Sequence, residues 1–259
     1  MTRRGALGFM ATLLLPCLVR AEARPPLVAA ASDLQFALEE LAYAFRKEAG
    51  ESVRVVAGSS GNFTRQILQG APFELFFSAD EDYVMQLARA EATRGQGVLY
   101  AIGRIALLLP RASPLAADGT LEDLRAALAA RRITRFAIAN PEHAPYGKRA
   151  EEALRHVGLW EAIRPRLVLG ENVSQAAQFA ASGNVEGGIV AYSLALSPKI
   201  AATTRHALIP EAWHSPLRQR MVLTTKAGPV AERFHAFVQQ RTAREILARH
   251  GFALPGEAR

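Results

Sequence analysis

Short apolar runs alternate with amphipathic helical patterns along most of the chain, and this alternation constrains the fold more than any single motif. Leu27 to Ala31, Val53 to Ala57 and Leu75 to Phe77 read as strands. Helical patterns follow each of them, over Leu34 to Glu48, Asn62 to Gln69 and from Asp80 to about Ala90. In the first of these, Leu34, Leu38, Leu41, Ala42 and Phe45 share one face. Strand and helix in this order predict a parallel sheet covered by helices. A second series repeats the order, with strands at Ile105 to Leu109, Phe136 to Ala139, Leu167 to Leu169 and Gly188 to Ala191. Its helices are expected over Leu121 to Ala130, Gly147 to Val157 and Ser174 to Ala181. Met221 to Thr225 adds a late strand, and Pro229 to His250 closing helices. With 259 residues, half of them hydrophobic, the chain can bury a large core. Two series of similar length predict an α/β protein of two lobes, each a mostly parallel sheet flanked by helices. The expected lobes are residues 24–103 plus 211–259, and residues 104–210.

The first residues are set apart from this pattern. Arg3 and Arg4 give a basic start, Gly5 to Val19 is an apolar run of signal-peptide length, and Ala21-Glu22-Ala23 offers a small-x-small cleavage site. Residues 1–23 are expected to be a signal peptide cleaved near Ala23, and the protein to be exported, with the periplasm as its expected location. A membrane anchor is the alternative, but the run is short for a span and Pro16 interrupts it. Removing residues 1–23 takes away three arginines and one glutamate, so the formal net charge falls from +7 to +5. The remaining basic residues are scattered, which argues against nucleic-acid binding. Cys17 is the only cysteine and excludes an internal disulfide framework or a cysteine-rich metal site.

At four places an apolar run ends in small or hydroxyl residues and turns into a helical pattern: Ala31-Ser32-Asp33, Gly58-Ser59-Ser60-Gly61, Pro145-Tyr146-Gly147 and Asn172-Val173-Ser174. A helix N-terminus presents unpaired N–H groups and about half a unit of positive charge. Taken singly, Ser32, Ser59 and Ser60 read as caps of their own helices, and Tyr146 as a ring packed over a helix start. Taken together, at the carboxyl ends of strands where open α/β sheets bind ligands, they predict an anion site made of neutral donors. Asp33 is the awkward member, a carboxylate where an anion is expected. The histidines show no metal-ligand spacing, and His143 reads as ordering its own loop. Asp80-Glu81-Asp82 reads as a solvated helix start after Ser78. No Ser/His/Asp arrangement stands out, so no catalytic residue and no enzyme activity are expected.

Seven segments, in order, resemble the molybdate-binding proteins of ABC importers: AAASDL (29–34), GSSGNFTRQI (58–67), GAPFELFFSAD (70–80), NPEHAPYG (140–147), ENVSQA (171–176), GGIVAYSLA (187–195) and AREILARHGF (243–252). The resemblance implies the type II periplasmic-binding-protein fold, with molybdate or tungstate held between the lobes by Ser32, Ser59, Tyr146 and Val173. Asp33, Ser60 and Tyr192 are further candidates at the same site. Members of the family with alanine in place of Tyr146 carry a tyrosine directly after the G-I-V strand; this chain has Ala191 there, with Tyr192 one residue later, so Tyr146 is the expected phenolic donor. Asp33 also departs from the family, which usually has a neutral or small residue there. No cofactor beyond the bound oxyanion, no metal cation and no nucleic-acid partner are expected. A membrane permease is the expected partner, and the protein is expected to be a monomer. A binding protein for sulfate or phosphate, or an enzyme on the same scaffold, are the alternatives.

Overall fold

The computed structural model describes residues 24–256; the expected signal peptide and its cleavage site lie outside the described residues. The first part of the chain runs β1 (Leu27–Ala31), α1 (Gln35–Ala49), β2 (Arg54–Gly58), α2 (Ser60–Leu68), β3 (Leu75–Ser78), α3 (Glu81–Arg89) and β4 (Val98–Gly103). The second runs β5 (Ile105–Pro110), α4 (Glu122–Ala129), β6 (Phe136–Ala139), α5 (Pro145–His156), α6 (Trp160–Ile163), β7 (Leu167–Gly170), α7 (Val173–Ala181), β8 (Gly187–Ala191), α8 (Tyr192–Ala195), α9 (Pro198–Ala201) and β9 (Thr204–Leu208). β10 (Leu217–Leu223), α10 (Pro229–Val238) and α11 (Arg241–Arg249) complete it.

The strands form two five-stranded sheets, in the orders β2-β1-β3-β10-β4 and β7-β6-β8-β5-β9. In each, one strand runs against the other four: β10 in the first and β5 in the second. The sheets are therefore mixed but mostly parallel. The edge strands β4 and β9 add to those read from the sequence. The chain passes between sheets at Arg104 and returns over residues 209–216.

Strand periodicity fills both faces of the first sheet. Val28, Ala30, Leu75, Phe77 and Met221 point to a core shared with α1, α10 and α11. The alternate residues Ala29, Phe76 and Val222 point to a second core with Phe63 and Ile67 of α2 and Val84 and Leu87 of α3. The second sheet has its own core, which Ala31, Ala79 and Leu217 of the first part join at the interface. The register of β10 against β4 skips Tyr100, because Gln219 pairs with Ala101 and Arg220 with Leu99. Such a bulge re-aims side chains, and both Gln219 and Tyr100 turn inward, with exposures of 0% and 3%. Among the described residues no helix is long and apolar enough to cross a membrane.

Candidate anion site between the two sheets

The four junctions meet at one small cavity, whose lining includes Ser32, Asp33, Ser59, Ser60, Tyr146 and Val173. Helices α2, α5 and α7 begin there, at Ser60, Pro145 and Val173. Ser59 caps α2 by accepting from the Asn62 N–H at 3.4 Å, and Asn172 caps α7 by accepting from the Gln175 N–H at 3.1 Å. Proline at the start of α5 has no N–H to satisfy. The N–H groups of Ser60, Tyr146 and Val173 lie in the first turn, where no carbonyl within the helix can reach them. No lysine or arginine lines the cavity.

Ser32 is not the helix cap expected from the sequence. A single 3-10 turn, Ser32–Leu34, precedes α1, and no side chain caps either element. The short turn turns the Ser32 hydroxyl outward across the gap, where it accepts from the Ser174 N–H at 3.1 Å. That bond uses an oxygen lone pair and leaves the hydroxyl hydrogen for another acceptor. Ser60 Oγ likewise accepts from the Ala79 N–H at 3.0 Å. Ser59 Oγ lies 3.0 Å from Nδ1 of His143 and Glu171 Oε2 lies 3.6 Å from its Nε2, so the side chain of this histidine reaches across to the opposite lobe. The His143 carbonyl accepts from the Gly61 N–H at 2.9 Å, and a Cβ on Gly61 would stand 2.7 Å from that oxygen. Glycine is required there for the two lobes to touch.

The Tyr146 hydroxyl does not serve as the free phenolic donor expected from the sequence. It donates to Asp33 Oδ2 at 2.9 Å, and Gln219 Nε2 donates to the same oxygen at 2.6 Å. Tyr100 in turn donates to Gln219 Oε1 at 2.7 Å. Gly103 completes this corner, because a Cβ there would lie 2.3 Å from the Tyr146 hydroxyl. Tyr146 therefore faces the cavity with its backbone N–H, while its ring tip is engaged beneath. Burial first, then the neighbouring Asp33 charge, pushes the Tyr146 hydroxyl well above its ordinary pKa, so it remains a donor. Asp33 is 1% exposed, and burial raises its carboxyl to about 7 against the pull of the Gln219 and Tyr146 hydrogen bonds. Its Oδ1 is buried without a partner.

Tyr192 lies elsewhere. It opens α8, with its ring against His206 and the Arg104 guanidinium 5.8 Å from the ring centroid. Asp80 is not solvated as expected. It caps α3, but its Oδ2 accepts from Arg149 at 2.7 Å, and both side chains are buried. Gln219, Tyr100 and Arg149 were not legible as site neighbours: Gln219 lies 186 positions from the Asp33 it touches.

Residues 26–253 match the family described as bacterial extracellular solute-binding proteins. The molybdate-binding protein ModA of Azotobacter vinelandii is 34% identical over 93% of this chain and 94% of its own length. ModA of Rhodobacter capsulatus is 32% identical over 95% and 94% respectively. The solved periplasmic molybdate-binding protein of Azotobacter vinelandii superposes with a TM-score of 0.81 at 31% identity, covering 89% of this chain and 99% of that one. The chain belongs to the bacterial extracellular solute-binding proteins, in the group of the ModA molybdate-binding proteins.

Proposed function

We propose that the protein captures molybdate outside the cytoplasm and delivers it to the membrane permease of an ABC importer. The observation that supports this most is the cavity itself: three helix N-termini and the hydroxyls of Ser32, Ser59 and Ser60 around one small space, with no basic side chain in its lining. A buried dianion loses its hydration, and a shell of N–H and O–H donors offsets that loss, at roughly 1.5–3 kcal/mol for each bond to a charged group. The donors here are the backbone N–H groups of Ser60, Tyr146 and Val173 and the serine hydroxyls. Molybdate and tungstate are nearly equal in size and should both bind; sulfate is smaller and would leave donors unpaired. The lobes meet in a closed arrangement, through Ser174 on Ser32, His143 on Ser59 and Arg149 on Asp80. Closure on the ligand is the state that a permease would read. We further propose a monomer, exported by a signal peptide cleaved near Ala23.

Titration calorimetry of the chain from Arg24 onward with molybdate, tungstate, sulfate and phosphate tests this reading. Tight binding of the first two and weak binding of the others is expected. No heat with molybdate or tungstate overturns it.

A further inference from the structure

We infer that Asp33 serves this site as a neutral carboxylic acid whose Oδ1–H is donated to the bound oxyanion, so that capture of a dianion takes up one proton on the protein. The inference rests on the oxyanion reading above. Asp33 lines the cavity. Its two oxygens are unequal: Oδ2 accepts from Tyr146 at 2.9 Å and Gln219 at 2.6 Å, whereas Oδ1 is buried with no partner. An ionised carboxylate can only accept. Beside a dianion that brings no proton, it would face like charge at short range with one oxygen unsatisfied. The protonated acid has one O–H, and the anion is the acceptor that this hydrogen lacks.

The surroundings supply no cation to hold Asp33 ionised. From α5 it meets the neutral Tyr146, and from β10 Gln219, while Arg218 and Arg220 on either side pair with Glu81. From β4 it is backed by Tyr100 through Gln219. Helix α7 carries no titratable side chain. α8 gives the Ser193 hydroxyl, which donates to the Asp33 carbonyl at 2.8 Å, and Tyr192, whose ring lies on Arg104 and His206. On β2, Arg54 pairs in register with Leu27, at the far end of the strand from Gly58. On α1 the nearest acids are Glu39, which is exposed, and Glu40, which pairs with Arg249 and His250. Lys148 lines the neighbouring groove with Asp80, and Arg149 is bound to Asp80 and Glu152. Burial raises the Asp33 carboxyl to about 7, which agrees with an acid that holds or takes a proton near neutrality. The proton stays on Asp33 throughout; above its pKa the proton is drawn from solvent as the anion enters.

The other titratable side chains near the donors are His143 and Glu171, whose Oε2 lies 3.6 Å from His143 Nε2, and the experiment separates them from Asp33. Sodium molybdate is titrated calorimetrically into the chain from Arg24 onward at about pH 6 to 8.5, in buffers of different ionisation heat. Proton uptake near zero at the acid end and near one per molybdate at the alkaline end is expected, with affinity falling tenfold per pH unit above about 7.5. Asp33→Asn keeps a neutral donor, so it is expected to bind molybdate without proton uptake and with a flat pH profile. Uptake absent from the unsubstituted protein at pH 8.5 overturns the inference without needing a variant. Uptake that persists in Asp33→Asn places the proton on another group and overturns it. No heat with any oxyanion overturns the molybdate reading as well; binding without proton uptake overturns only the role of Asp33.

Discussion

Asp33 and Asp80 are both buried carboxylates at the ends of neighbouring strands, β1 and β3, and both grip the second lobe. Asp80 meets a cation, Arg149, which also bonds Glu152 at 2.5 Å. Asp33 meets neutral donors, the Gln219 and Tyr146 side chains and the N–H groups of Asp33 and Leu34. Burial raises both carboxyls; at Asp80 the Asp82 N–H and the Arg149 charge pull back, whereas at Asp33 hydrogen bonds alone oppose it and the value reaches about 7. The contrast shows how this interface distributes charge. The buried positive charge is used to hold the lobes together and is kept out of the cavity lining, so that the cavity selects its guest by the number and direction of donors.

The largest effect is expected from breaking the charged pair. Arg149→Met leaves Asp80 buried without its cation, and removal of one partner from a buried pair typically costs about 3–5 kcal/mol. The urea midpoint of the free protein should fall accordingly, and the double change Asp80→Asn with Arg149→Met should recover much of the loss. A loss below about 1 kcal/mol would mean that the ion pair is hydrated in solution, as exposed pairs are.

The neutral side of the comparison breaks through pH. Asp33 has a folded pKa raised above the ordinary 3.8, so the folded state prefers the protonated form. Its stability is full below about pH 4 and is lost as pH rises towards 7, on the order of 4 kcal/mol from a shift of this size. Asp33→Asn removes that dependence, and its stability relative to the unsubstituted protein should rise between pH 4 and 8. Equal pH profiles for the two would show that Asp33 titrates as an ordinary carboxylate. In binding, Ser59→Ala removes one hydroxyl donor and should weaken molybdate by about 1.5–3 kcal/mol, with stability changed less because the cap bond at 3.4 Å is long.

Much of this was legible in the sequence, for reasons that differ by residue. The strand ends and helix starts at Gly58-Ser59-Ser60 and Asn172-Val173 follow local rules of burial period and capping, and the structure places them where those rules do. The capping role expected of Ser32 is absent because a cap and a 3-10 turn begin with the same residues, and only the contact with Ser174 tells them apart. Asp80 read as solvated because acidic residues favour the first turn of a helix; its burial depends on Arg149, 69 positions away. Gln219 sits between two arginines in a strand, where alternation does not mark it, and the bulge at Tyr100 decides its direction. Local patterns therefore specify the donors, whereas the groups that set their charge come from the far lobe.

The smallest effect is the one that separates a phenolic donor from a backbone donor. Tyr146→Phe keeps the helix start and its N–H but removes the hydroxyl on Asp33. Asp33 Oδ2 retains Gln219 at 2.6 Å, so the losses are the bond to Asp33 and the one that the hydroxyl accepts from Gln219 Nε2 at 3.0 Å, each about 0.5–1.5 kcal/mol of stability. Molybdate affinity measured near pH 6, where Asp33 is protonated in either protein, should change by less than about threefold, since the anion keeps the Tyr146 N–H. A phenolic hydroxyl donated to the anion itself would instead be worth roughly 1.5–3 kcal/mol, or more than tenfold. The hydrogen bond from Tyr146 also lowers the Asp33 pKa. Its removal should therefore shift the decline in affinity to higher pH. A tenfold loss at pH 6 with no movement of the profile would put the phenol on the anion and detach it from Asp33.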